Sequence, residues 1–216
     1  GSEMCIRDRS VGAVNARGII QNNDLDRYNF SVRNTTSMLN DKLTMDLSFM
    51  YSNVKEQNML SQGEYANPLV PVYLFPRGDD FSKYQYYERY DVDRNIKTQF
   101  WPLKENGLSM QNPYWITNRN MYTNKKDRFL ASGSLKYTIT DWLNVSGRVK
   151  LDKETINSEK KMYASTLNVI AENSDKGAYV QSNKNTSQIY ADAMLNINKY
   201  LSLIHISEPT RPLYIS

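Results

Sequence analysis

The stretch KLTMDLSFMYS, residues 42–52, decides the fold. Leu43, Met45, Leu47, Phe49 and Tyr51 alternate with Thr44, Asp46 and Ser48, and a period of two puts an apolar and a polar face on one extended strand. Just upstream, YNFSVRNTTSML (28–39) repeats the pattern, with Tyr28, Phe30 and Val32 set against Asn29, Ser31 and Arg33. Asn40 and Asp41 lie between the two runs, and both residue types bond nearby backbone and tolerate unusual dihedrals. The pair reads as a tight antiparallel hairpin.

The unit recurs downstream. RFLASGSLKYTI puts Phe129, Ala131, Gly133, Leu135, Tyr137 and Ile139 on one face, with Ser132, Ser134, Lys136 and Thr138 on the other. After a short turn, WLNVSGRVKLD sets Leu143, Val145, Val149 and Leu151 against Asn144, Ser146, Arg148 and Lys150. QIYADAMLNIN alternates Ile189, Ala191, Ala193, Leu195 and Ile197 with Tyr190, Asp192 and Asn196. Strands are expected over about 27–39, 42–54, 127–139, 142–158 and 186–198. Connections of two or three residues join the first to the second and the third to the fourth. About seventy residues, 55–125, separate the second from the third, against about 4–6 in an ordinary connection.

Because successive strands reverse direction, the short turns fall on one edge and the long loops on the other. An amphipathic antiparallel sheet with that asymmetry fits a slice of a large transmembrane β-barrel. About ten alternating residues per strand suit a tilted crossing of the bilayer, and Tyr28, Tyr51, Tyr137 and Trp142 fall where interfacial aromatics belong. The expected fold is therefore all-β, an incomplete barrel slice. Val32, Leu47, Leu135 and Val149 would face lipid, while Asn29, Ser31, Arg33, Asp46, Lys136, Arg148, Lys150 and Asp192 would line the interior. A soluble β-sandwich alternates in the same way, and a soluble β-rich carbohydrate- or protein-binding module is the competing reading. It requires a second layer over the apolar face.

Composition narrows the function classes. The 216 residues include 40% hydrophobic and 23% charged residues, with a net charge of +4. Lys and Arg are scattered, so no nucleic-acid footprint is expected. One cysteine excludes an internal disulfide framework. No apolar run reaches the length of a transmembrane helix, and the N-terminus lacks the layout of a signal peptide.

The termini read differently from the middle. GSEMCIRDR (1–9) and LSLIHISEPTR (201–211) resemble translated sequencing-adapter sequence, in complementary readings of one oligonucleotide, and residues 212–216 fit its continuation. Residues 1–9 and 201–216 are accordingly set apart from the fold, leaving 10–200 as the barrel portion. Cys5 and His205, the only residues of their types, go with them. Without them no Cys/His dyad, Ser-His-Asp triad or zinc cluster can be assembled. No enzyme, cofactor or metal is expected.

Several phrases together, GIIQNNDLDRYNFSVRN, NPLVPVYLFPRGDDF, YERYD, GLSMQNPYW and TNKKDRF, resemble SusC/RagA-type TonB-linked outer-membrane receptors from about Gly18 to Tyr200. That resemblance implies a large barrel with an internal plug, a SusD-type surface lipoprotein closing over its mouth, and energy from the TonB complex. It also implies a cell outer-membrane location in contact with outer-membrane lipid, and an oligosaccharide or peptide cargo. TonB box, plug and closing strand are not found in the sequence, so the chain corresponds to an early barrel section not expected to transport by itself.

Loop 55–125 is rich in rings, with Pro68, Pro71, Pro76, Pro102 and Pro113 stiffening its path. Tyr86, Tyr87, Trp101, Tyr114 and Trp115 are the candidate ligand or lid contacts, since aromatic faces stack on sugars and anchor protein interfaces. The same rings could instead form the loop's own small core. Other motifs carry little. DVDRN (91–95) has Ile96 and Pro102 where an EF-hand needs Gly and Glu. RGDD (77–80) is a short match in a charged loop, and the glycosylation patterns at Asn34 and Asn144 lie on expected strands.

Overall fold

A computed structural model describes residues 5–59, 63–101 and 110–199. The segment 201–216 with His205, and Pro102 in the long loop, lie outside the described residues. Strand accounts for 61% of the structure and helix for 9%, an all-β fold. The strands are β1 (Cys5–Arg17), β2 (Asp24–Met38), β3 (Leu43–Gln57), β4 (Glu88–Asp91), β5 (Ile96–Gln99), β6 (Asn120–Thr140), β7 (Leu143–Met162) and β8 (Ala178–Ile197). Helices α1 (Leu69–Tyr73) and α2 (Pro113–Arg119) and a 3-10 turn (Phe81–Gln85) lie between β3 and β6.

Six strands form one antiparallel sheet in the order β1-β2-β3-β6-β7-β8, and β4 and β5 form a separate hairpin. The sheet is open, with β1 and β8 at its edges. Residues 39–42 and 141–142 turn at one end, while 18–23, the described residues 58–59, 63–101 and 110–119, and 163–177 gather at the other. The tight turn after β2 holds Leu39, Asn40 and Asp41 at φ of 58°, 55° and 63°. The Ser37 hydroxyl donates to the Asp41 carboxylate at 2.7 Å. The alternating residues share rows as the period of two requires. Val32 stands opposite Phe49, Phe49 opposite Ala131, Ala131 opposite Leu151, and Leu151 opposite Ile189.

β6 and β8 begin earlier than the expected 127 and 186, and β7 ends at 162, four residues past the expected 158. β6, β7 and β8 continue as ladder through segments such as Asn124–Arg128, Lys153–Lys161 and Val180–Ser187. Both faces are polar there, so alternation no longer marks a strand that backbone pairing still holds. The sheet also has one strand more than the five expected. β1 includes residues 5–9, which pair with Val32–Thr36 of β2. It lacks a long apolar alternation and is recruited by the free edge of β2, with Ser10 and Ser31 bonded at 2.7 Å. Arg7 and Arg9 then fall in the rows of Leu47 and Phe49, so the apolar stripe breaks at this edge.

The return from β7 to β8 depends on one glycine. Gly177 has φ +86°, and a Cβ there would lie 2.3 Å from the Met162 carbonyl oxygen. Gly177→Ala is expected to destabilise the β7–β8 return by about 1–3 kcal/mol from backbone strain alone. Faster amide exchange at Ala178–Val180, with exchange at β2 and β3 unchanged, is the expected measurement.

Candidate functional site

The most deeply buried side chains lie under the long loops, because the sheet's apolar face has no layer packed on it among the described residues. Tyr84, Trp101, Met110, Trp115, Ile116 and Ala171 form a small core beside buried Gln99, Gln111, Asn112, Thr117 and Thr166. Asn112 ties it together. Its side-chain amide donates to the Tyr84 and Phe100 carbonyls at 2.8 and 3.1 Å, and its Oδ1 accepts from the Tyr114 amide at 2.9 Å, starting α2. Its own backbone N–H donates to Gln99 Oε1 at 2.7 Å. Gln99 in turn donates to the Ser165 carbonyl and Gln111 accepts from the Leu167 amide, so loop 163–177 is bonded to the long loop. On the other flank Asn22 donates to the Thr117 carbonyl at 2.9 Å. The loops of three connections thus form one body above the sheet.

The sequence candidates divide between its inside and its surface. Trp115 is 0% and Trp101 3% exposed. The Trp115 indole N–H donates to Thr166 Oγ1 at 3.0 Å, and Trp101 packs edge-on against Tyr84 at 5.4 Å between ring centroids. Tyr114 is half-buried against Phe81, and Tyr87 half-buried against Trp115. Tyr86 is 68% exposed, and of the five its ring is the most open to a partner. The RGDD carboxylates have local duties. Asp79 accepts from the Tyr84 hydroxyl at 2.7 Å, and Asp80 caps the 3-10 turn through Ser82 N. DVDRN makes the β4–β5 turn, with Asp91 accepting from the Arg94 amide.

A cavity of about 610 Å³ opens where this loop body meets the sheet. Ile20, Met59, Ile116, Met121, Met162 and Ile170 give it an apolar lining. Asn120, also on its wall, is oriented by a relay in which Trp115 donates to Thr166 and Thr166 donates to Asn120 Oδ1 at 2.8 Å. The Asn120 Nδ2 group has no partner among the described residues. The cavity therefore offers a largely apolar wall with Asn58, Glu64 and Lys160 among its polar residues, features suited to binding. None of the five sequence candidates lines it. Its residues come from three connections and two strand ends, and no local pattern in the sequence marks them.

An ion-pair cluster closes the loop body's outer side. Glu88 on β4 accepts from Arg119 at the end of α2 and pairs with Lys97 on β5 at 3.0 Å. The Arg119 guanidinium, with Lys97 behind it, holds the Glu88 carboxyl below its ordinary range. Arg119 also sits over the Tyr163 ring at 4.5 Å, joining the second loop. Comparison with models of protein families and with curated proteins finds no match.

Asn112→Ala is expected to loosen the loop body, at roughly 1–3 kcal/mol for each buried group left unsatisfied. A red shift in the emission of Trp101 and Trp115, with strand circular dichroism retained, checks it. The Glu88 pair sets an acid limit. Its folded pKa lies below its unfolded one, so its stabilisation is complete above the unfolded value of about 4.3 and is lost as pH falls through the lower folded value. Tryptophan emission should shift red below about pH 4, and Glu88→Gln should make that acid step shallower.

Proposed function

We propose that this chain is a barrel section of a TonB-dependent outer-membrane nutrient importer of the SusC/RagA type. A complete receptor would work with a SusD-type lipoprotein and the TonB complex, taking up a glycan or peptide; this section alone does not transport. The observation that carries the reading is the uncovered apolar face. Leu47, Leu135 and Val149 are 45%, 52% and 55% exposed, where a soluble module needs them under a second layer.

The two faces differ as a lipid side and a water side would. On the apolar face, Leu43–Tyr51 of β3, Phe129–Tyr137 of β6, Leu143–Leu151 of β7 and Ile189–Ile197 of β8 overlap in the rows from Leu43, Tyr137, Val145 and Leu195 to Phe49, Ala131, Leu151 and Ile189, and the next row, of Tyr51 and Phe129, holds Lys153 and Ser187. Each spans about nine residues, the length of a tilted transmembrane strand. Tyr28 and Tyr51 stand at one end of that band, with Tyr137 and Trp142 at the other. On the opposite face Arg33 bonds Asp46 and Arg148 bonds Asp192, each at 2.6 Å. Ser48 and Ser132 bond at 2.7 Å between them. Paired charges and hydroxyl ladders suit a hydrated interior. The loop body and its cavity stand at the end opposite the short turns, where the mouth of an importer and its lid would be.

A charge inside the apolar band tests the reading. In an intact receptor carrying this section, Val149→Lys should cost about 2–4 kcal/mol in the bilayer and lower the amount of assembled receptor at the cell surface. Ser146→Lys, on the polar face three positions away, should leave it near normal. Equal surface levels for the two variants would sink the proposal.

A further inference from the structure

One pair in the sheet sets like charges face to face. Lys55 of β3 stands directly opposite Lys125 of β6, and among the described residues no other cross-strand pair joins two charges of one sign. Both strands lie inside the sheet, away from its edges. Like charges so placed are destabilising unless something negative lies between them. Both lysines are exposed, and neither is in an ion pair among the described residues.

The carboxylates around the pair are taken by other donors. Asp127, next to Lys125 on the same face, accepts from the Tyr51 hydroxyl and the Asn53 amide at 2.7 Å each. Asp26, on the other side of Lys55, accepts from Asn15 at 2.9 Å and pairs with Arg17 at 3.6 Å. Glu159 accepts from the Tyr179 hydroxyl at 2.7 Å and pairs with Lys161 at 3.1 Å. The crowding is confined to one face, since Lys126 on the other stands between Val54 and Ile156. The crowded face is the one that carries the apolar band. Exposed Lys153 shares the row of Tyr51 and Phe129 at the band's rim. Lys55 and Lys125 lie two rows of that face further out, about 13 Å along the strands. At the tilt of a barrel strand this is roughly 10 Å of height, where a headgroup and not an acyl chain would lie.

We propose that Lys55 and Lys125, with Lys153 at the rim below them, hold the headgroup phosphate of an anionic lipid against the outside of the sheet. The site rests on the membrane reading of the apolar face. A phosphate between the two ammonium groups replaces their repulsion with two charge-assisted contacts. Lysine suits the task, because its charge rides on a flexible stem with rotatable donors and can follow a mobile headgroup. The apolar rows directly below, from Phe49 and Ala131 inward, give the acyl chains of the same molecule a surface to cover. A lipid therefore gains apolar burial that a free phosphate ion lacks.

Lipid retention by the intact receptor carrying this section tests it. The receptor is placed in bilayer discs of equal parts phosphatidylglycerol and phosphatidylcholine, and native mass spectrometry after release into mild detergent counts the lipids kept. Phosphatidylglycerol should be kept in preference. Lys55→Gln with Lys125→Gln should weaken its binding roughly twenty-five-fold, at about fivefold for each lysine. Lys55→Arg with Lys125→Arg should preserve it. Lys126→Gln with Lys184→Gln, an equal charge change on the opposite face, should leave it unaltered. Excess inorganic phosphate should not displace the lipid. Equal retention of the two lipids, no loss on removing Lys55 and Lys125, an equal loss on removing Lys126 and Lys184, or displacement by inorganic phosphate would overturn the proposal. Insertion is scored separately, as heat-modifiable mobility on a gel. An inserted receptor with no lipid preference overturns this proposal alone, whereas a receptor that does not insert overturns the membrane reading with it.

Discussion

A single parity runs across the sheet. Each link in the row Val32, Phe49, Ala131, Leu151, Ile189 is a residue opposite its partner, and side chains alternate between faces at every step along a strand. A slip of one residue at any link would move a whole strand's apolar set to the other side. It would bring Arg148 or Asp46 to the apolar face and break the bonds to Asp192 or Arg33. The ion pairs therefore act chiefly as register locks. Arg33 and Arg148 are partly solvated, and exposed pairs of this kind contribute little to stability by themselves. The short turns reinforce the same register, because Asn40 and Asp41 hold left-handed dihedrals that set where β3 begins.

The sheet offers its apolar side to no other part of the described chain, so the connections must find their packing elsewhere. They find it in one another. Asn112, Gln99 and Gln111 are neutral amides, each able to donate and accept. At the centre of the loop body they satisfy carbonyls and amides that a turn-rich segment cannot pair internally. Rings fill the remaining space, as in the edge-to-face set of Phe75, Phe81 and Tyr84. A loop held this way has a defined shape without regular secondary structure, which explains how so long a connection can present a fixed cavity wall.

Period two made the central strands legible in the sequence, and Asn40–Asp41 marked the first turn. The pattern failed where its cause was absent. Asn124, Lys125 and Lys126 give polar side chains to both faces, so the first part of β6 carries no alternation to read. β1 forms by pairing with an available edge, a tertiary effect that no property of residues 5–9 announces. In the loop the sequence showed that rings were abundant but not which were inside. Trp115 is buried because Thr166, distant in sequence, accepts its N–H, while Tyr86 two residues from Tyr84 points outward. The cavity was illegible for the same reason, since Ile20, Met121 and Ile170 meet only when three connections are folded together.

The overshoot of the strands links the sheet to the loop body. The apolar band ends near Tyr51 and Phe129, yet β6, β7 and β8 continue for another eight to eleven residues or so as a polar ladder. Asn120 and Met162, at the far ends of β6 and β7, are paired with each other and both reach the cavity wall. The ladder thus carries strand rigidity out beyond the apolar band. There Asn120 Oδ1 receives the Thr166 hydroxyl, and Asn58 exchanges bonds with Tyr122. A loop body set directly on the band would meet the apolar rows; raised on a polar ladder, it meets strand ends that can bond its polar groups. The same residues that hide these strand ends from a sequence reading, polar on both faces, are what allows the ends to serve as a pedestal.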